Sequence, residues 1–196
     1  MELPAETAVV DDMAGSRAVA LWVAAAAAIL LASACGQRAS PEEVALASVI
    51  RGAQTAELNL EVVPSGYNGP GSSADVIQPV LDRVQTELAT YYVGALLARK
   101  VTQYQDAIRG MAKAGAGGRM GGVRALDLKD VQVSGETAKV RAEVTVWFKT
   151  AQVWDQSVTS RPEATNIIDL DLHLVKDGGS WKIDQEQSQF APGGGP

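Results

Sequence analysis

Along the chain the spacing of apolar residues changes period once, and that change divides the sequence into a helical part and a strand part. From Ala74 to Ala114 apolar positions recur three and four apart. Val80, Leu81, Val84, Leu88, Tyr91, Ala95 and Leu96 come first, with Val101, Tyr104 and Ile108 beyond, and this predicts the main helical layer. Pro79 falls early in this stretch, so the helix either starts near Gln78 or is kinked in its first turn. Gly94 permits a break near the middle, and the glycines from Gly115 to Gly122 end the pattern in a flexible connection. A shorter helix precedes it. Ser40, Pro41, Glu42 and Glu43 supply an N-cap, a proline at the first helical position and a glutamate placed to close a capping box. Val44, Leu46, Val49 and Ile50 continue the helix, which is expected to fade near Ala56. Pro64 to Ser73, built from Pro, Gly, Ser and Asn around Tyr67, reads as a loop.

After the glycines the period becomes two. Ala125 to Val133 alternates with a phase slip at Lys129 and Asp130, the signature of a bulged strand. Ser134 to Thr137 supplies a hairpin turn. Val140, Ala142, Val144, Val146 and Phe148 then share one face of a strand, with Lys139, Arg141, Glu143, Thr145, Trp147 and Lys149 on the other. Ala151 to Thr165 is expected to be a connection. A further strand places Ile168, Leu170, Leu172 and Leu174 on one face and Asp169, Asp171 and His173 on the other. Asp177 to Ser180 turns it into a last strand from Trp181, and residues 191–196 form a disordered tail. Helices first and an antiparallel meander after, each with one apolar face, predict an α+β fold with N-terminal helices packed on one face of a curved antiparallel sheet.

Composition narrows what such a domain can do. At 196 residues, 46% of them hydrophobic and 20% charged, the chain holds one modest domain, expected at 41–190. Its formal charge of −6 provides no positive surplus to neutralise phosphates, so nucleic-acid binding is not expected. One cysteine and one histidine leave no disulfide framework and no ordinary zinc site, and no cofactor or metal is expected.

The N-terminus supplies an address. Ala18 to Ala34 is an uncharged apolar run of 17 residues, the part up to Leu31 matching the length of a signal-peptide apolar core. Small residues follow, Ala32, Ser33 and Ala34, immediately before the lone cysteine, Cys35. The segment resembles the lipobox of bacterial lipoproteins, with Ala32 standing where leucine is commonest and Leu31 one place back. The resemblance implies a thioether-linked diacylglycerol on Cys35, cleavage between Ala34 and Cys35, removal of residues 1–34 and a short tether at 35–40. An uncleaved membrane span and a buried structural cysteine are the alternatives. Glu2, Glu6, Asp11 and Asp12 against Arg17 alone give the stretch before the apolar run the wrong sign for a leader, which translation from Met13 would correct. Loss of residues 1–34 leaves a formal charge of −3. The expected location is the extracytoplasmic side of a membrane, held by lipid.

The order of elements in the body, with its closing glycine turn and Ser180, Trp181, Lys182, Ile183, resembles the nuclear transport factor 2-like, or cystatin-like, superfamily over roughly Ala74 to Phe190. The resemblance implies a cone whose pocket, where present, lies between helices and the concave sheet face. Enzymes of that fold carry an acid/base pair inside the cone, whereas the strand faces here contribute only Val, Ala, Leu, Ile and Phe. Tyr91, Tyr92, Tyr104 and Asp106 are the helical residues that could project inward. Asp169, Asp171 and His173 sit two apart on one strand, so the outer pair spans roughly 13 Å, too far for one strand to wrap around an ion. Trp147 is the better lead, because it lies on the polar face where an exposed tryptophan is costly. It marks either a partner interface with Arg141 and Thr145 or a ring packed on its own strand neighbours. The expected function is a lipid-anchored, non-catalytic accessory or binding module engaging a protein partner or an apolar small molecule. The alternative is a lipid-anchored isomerase or dehydratase.

Overall fold

The computed structural model describes residues 39–60, 74–114, 118–154 and 157–192. Cys35, the leader, most of the tether, the Pro64 to Ser73 loop and the last four residues lie outside the described residues. Among the described residues three helices and five strands follow one another: α1 (Pro41–Leu60), α2 (Ala74–Ala89), α3 (Gly94–Ala114), β1 (Arg119–Ser134), β2 (Thr137–Trp154), β3 (Ser157–Ser160), β4 (Ala164–Asp177) and β5 (Ser180–Phe190). The fold is α+β, with the helices on one face of an antiparallel sheet of order β1-β2-β4-β5, and with β3 pairing the far end of β2.

Each helix buries the stripe its sequence spells. In α1 Leu46, Ile50 and Ala53 are buried, spaced four and three apart, and the helix runs on to a buried Leu60 instead of fading near Ala56. Leu58 and Leu60 give that extra turn apolar surface to bury, which offsets the β-branched and small residues before it. In α2 Ile77, Leu81, Val84 and Leu88 form the inward stripe; the helix begins at Ala74 and accepts Pro79 in its second turn, losing one bond to the carbonyl four residues back. Helix α3 buries Leu96, Lys100, Tyr104 and Ile108, each four residues from the last.

The break at Gly94 is real and has a use. Gly94 takes a φ of +62°, and the extended residues before it lie along the edge of β5. Val93 N–H donates to the carbonyl of Ile183 at 3.1 Å, and Ile183 N–H donates to the carbonyl of Tyr91 at 2.8 Å. The α2–α3 link is thus a short added strand over part of an otherwise open edge.

In the sheet, Val140, Ala142, Val144 and Val146 of β2 face Leu170, Leu172 and Leu174 of β4 across the core side. The phase slip expected in β1 is present between Leu128 and Asp130, with a second between Val123 and Ala125; both bend the strand. Two sequence expectations are corrected. The strand β1 begins at Arg119, so Gly121 and Gly122 are buried strand residues and not part of a loose connection. A Cβ on Gly121 would lie 2.3 Å from the carbonyl oxygen of Trp147, so only glycine lets β1 approach β2 this closely. And Ala151 to Thr165 is not a plain connection: β2 continues to Trp154 and folds back through β3 as a hairpin. The β4–β5 turn has positive φ at both Gly178 and Gly179, the demand of a type I′ hairpin.

Candidate functional site

The interior between the helices and the sheet is not purely apolar. Glu57 of α1, Lys100 and Tyr104 of α3, Tyr92 of the α2–α3 link and Glu186 of β5 meet there. This corrects the apolar lining expected from the strand faces, while Tyr92 and Tyr104 are among the helical residues expected to be able to project inward. Glu57 continues the heptad of Leu46, Ile50 and Ala53, and Lys100 sits in the stripe between Leu96 and Tyr104, so both are carried inward by ordinary helix geometry. Glu186 arrives by a bulge. The register slips at His173 and Leu174, so that Leu174 faces Ile183 but Leu172 faces Glu186. The extra residue moves Glu186 to the core side that unbroken alternation from Trp181 and Ile183 would deny it.

The five groups satisfy one another. Lys100 Nζ lies 2.5 Å from Glu57 Oε1 and 3.1 Å from Glu186 Oε2, and 4.7 Å above the centre of the Tyr92 ring. The Tyr104 hydroxyl donates to Glu57 Oε2 at 2.9 Å, and the Tyr92 hydroxyl donates to Glu57 Oε1 in a short bond, with Glu186 Oε2 at 3.3 Å from the same hydroxyl. The side chains of Lys100, Glu57 and Glu186 are 10%, 15% and 9% exposed. Burial first, then the neighbouring Glu57 charge, pushes the Glu186 carboxyl above the usual glutamate range against the pull of Lys100. Burial, followed by the charges of Glu57 and Glu186, pushes the Tyr92 hydroxyl well above its ordinary value. Glu57 has three donors, whereas Glu186 has Lys100 and a share of Tyr92. Glu186 also lines an open depression of about 670 Å³, together with Arg99, Asp171 and His173.

The residues singled out on the polar strand face lie where alternation put them. Arg141, Thr145 and Trp147 share one side of β2. Arg141 is exposed, with Nη2 3.4 Å from Asp130 Oδ2. Thr145 stands opposite Ala125 and Ile167, and Trp147 opposite Gly122 and Thr165. Trp147 is half-buried. A Cβ built on Gly122 would lie 3.1 Å from its indole nitrogen, so the ring covers the glycine across the strand pair. Asp169 and Asp171 face Glu143 and Arg141, and His173 Nδ1 lies 2.6 Å from Asp184 Oδ1. Of the helical candidates, Tyr92 and Tyr104 are buried, Tyr91 is half-buried against Gly52, and Asp106 is exposed and paired with Arg109.

At the start of α1 a second polar contact closes the fold. Glu42 Oε2 accepts the Trp181 indole N–H at 2.8 Å and Glu42 Oε1 accepts from Lys176 at 3.1 Å, with the ammonium 4.8 Å above the Trp181 ring. The indole bond, and then Lys176, hold the Glu42 carboxyl below its ordinary range.

No family model and no curated protein matches the chain. Among solved structures, it is similar to the intermembrane-space region of the chloroplast protein ARC6, at 14% identity and a TM-score of 0.49, covering 79% of this chain and 100% of that one. It is similar to a periplasmic fragment of TraM at 16% identity and a TM-score of 0.46, covering 74% and 97%. It is also similar to an Ntf2-like protein involved in plasmid conjugation at 12% identity and a TM-score of 0.40, covering 76% of this chain and 50% of that one.

Proposed function

We propose that this chain is a lipid-anchored, extracytoplasmic accessory module of the nuclear transport factor 2-like kind, without catalytic activity of its own, attached through Cys35. The observation that carries the reading is the self-pairing of the interior. Glu57, Lys100, Glu186, Tyr92 and Tyr104 are the groups able to move a proton there, and they spend their hydrogen bonds on one another. A general base must reach a substrate proton at hydrogen-bond distance, and a carboxylate already held by two tyrosines and a lysine has little left to offer. Such a network fixes α1, the α2–α3 link, α3 and β5 in one arrangement, which suits a rigid body presented to a partner.

The contact face of this reading is the side of β2 that carries Arg141, Thr145 and Trp147, with a protein as the partner. The half-buried Trp147 indole, spread over Gly122, offers a flat apolar area already fixed in place, so little freedom is lost on binding. The test is recovery of the lipoprotein from native membranes with its bound proteins, for the natural chain and for Trp147→Ala. A partner retained by the first and lost by the second supports the reading. Retention of every partner by the variant removes Trp147 from it. Mass measurement of the peptide that begins at Cys35 tests the anchor separately.

One observation favours a second reading, a lipid-anchored isomerase or dehydratase: Glu186, a carboxyl that burial raises above its ordinary range, borders the 670 Å³ depression. Turnover of a small carbonyl substrate that disappears in Glu186→Gln while the fold is kept would establish it.

A further inference from the structure

The placement of α1 within the domain decides which end of the body stands at the membrane. We propose that the end built from the first turn of α1, the β4–β5 turn and the β1–β2 turn faces the lipid surface, and that the β2–β3 hairpin is the part held farthest from it. The inference rests on the anchor at Cys35 proposed above and deepens it.

The six residue steps from Cys35 to Pro41, where α1 begins, reach at most about 22 Å even fully extended. The first turn of α1 is not a free continuation of that tether. Glu42 is fastened to β4 by Lys176 and to β5 by Trp181, at 3.1 and 2.8 Å. The backbone N–H of Lys176 in turn donates to the carbonyl of Glu136 at 2.9 Å, which brings the β1–β2 turn alongside. Three element ends are thereby tied into one end of the body, at the place where the anchor enters.

From this end β2 runs away without interruption. Thr137 begins it, and Ala151, opposite Ser160 of β3, lies fourteen residues on, roughly 45 Å along a strand. That run is about twice the reach of the tether, so the body cannot stand upright with the β2–β3 hairpin against the bilayer and the α1 end above it. The composition of the near end suits a surface that lies beside lipid without entering it. Among the described residues, Lys176 and Lys182 at this end are paired with Glu42 and Asp177, and its large exposed apolar side chains are Val44 and Val133. The lipid chains on Cys35 do the anchoring. Trp147, ten residues along β2, is thereby carried clear of the headgroups toward a partner in the surrounding space.

The lone cysteine makes the test direct, since a thioether at Cys35 leaves an introduced cysteine as the sole thiol. Ser180→Cys at the near end and Ser160→Cys at the far end, both at exposed serines, are labelled separately with a donor fluorophore. The processed lipoprotein is then placed in vesicles of phosphatidylethanolamine and phosphatidylglycerol carrying a headgroup acceptor. Energy transfer several-fold stronger from position 180 than from 160 is expected. Glu136→Cys against Met120→Cys repeats the comparison should either serine variant fold poorly. Equal or reversed transfer, with the lipid on Cys35 verified by mass, overturns this inference and leaves the anchor standing; absence of that lipid overturns both.

Discussion

The ammonium of Lys100 and the carboxylate of Glu186 meet 3.1 Å apart inside the domain, joining α3 to β5 where two leucines would serve the same volume. Ion pairs in such a setting contribute little net stability while intact, because taking both charges out of water costs several kcal/mol. Losing one partner is another matter.

Lys100→Met is therefore expected to destabilise the fold by about 3–5 kcal/mol, since it leaves Glu57 and Glu186 facing each other with no cation between them. The readout is the denaturant midpoint at neutral pH. Pairing Lys100→Met with Glu57→Gln and Glu186→Gln should recover most of the loss. A loss below about 1 kcal/mol in the single variant would mean that the cluster is already hydrated and does not act as a buried unit.

Stability should also depend on pH through Glu186. Its folded value lies above the unfolded value of about 4.3, so between the two the folded chain holds more protons than the unfolded one. The contribution is complete below the unfolded value and is lost as pH rises through the folded one. Glu186→Gln, a fixed copy of the protonated side chain, should flatten this decline. Denaturant melts at a series of pH values check it, and an unchanged slope in the variant would assign the decline to another group.

Gly52 is expected to resist any side chain. A Cβ there would come 2.4 Å from Cε1 of the Tyr91 ring, so Gly52→Ala should cost about 1–3 kcal/mol through displaced packing. Tyr91→Ala in the same chain should remove most of that penalty, and thermal melts of the two single variants and the double variant measure the coupling. Additive losses would place the strain elsewhere.

Glu42 reports on the contact that closes α1 onto the last hairpin. With the indole donor removed in Trp181→Phe, its carboxyl should titrate nearer the ordinary glutamate value, as read by NMR. In the natural chain this contribution to stability is present above the unfolded value and lost as pH falls through the folded one. An unmoved titration in Trp181→Phe would leave Lys176 as the sole cause.

The layers of the fold were legible because each element spends most of its apolar residues on one face. Leu81, Val84 and Leu88 in α2 and Val140 to Val146 in β2 announce their period without outside help. The interior cluster was less open to reading, for two distinct reasons. Lys100 and Glu57 stand at regular positions of their helical stripes, and a stripe interrupted by a charged residue is a signal that sequence alone can supply. Glu57 lies one residue past Ala56, where the apolar pattern of α1 weakens before Leu58 and Leu60 resume it. Glu186 could not be placed from β5 alone, since the bulge that turns it inward depends on pairing with β4. The β2–β3 hairpin was hidden because Ala151 to Ser160 has no apolar alternation long enough to distinguish a protruding ribbon from a loop.

The short strand formed by the α2–α3 link has a bearing on crowding. Under the anchor proposed at Cys35, molecules on a common sheet of lipid would meet one another often and in similar orientations, conditions under which bare strand margins recruit their own kind. By occupying both backbone groups of Ile183, residues Tyr91 to Val93 block that margin at one point of β5. The blockade depends on the left-handed backbone of Gly94, so a replacement such as Gly94→Val would loosen a safeguard against self-association before it disturbed the core.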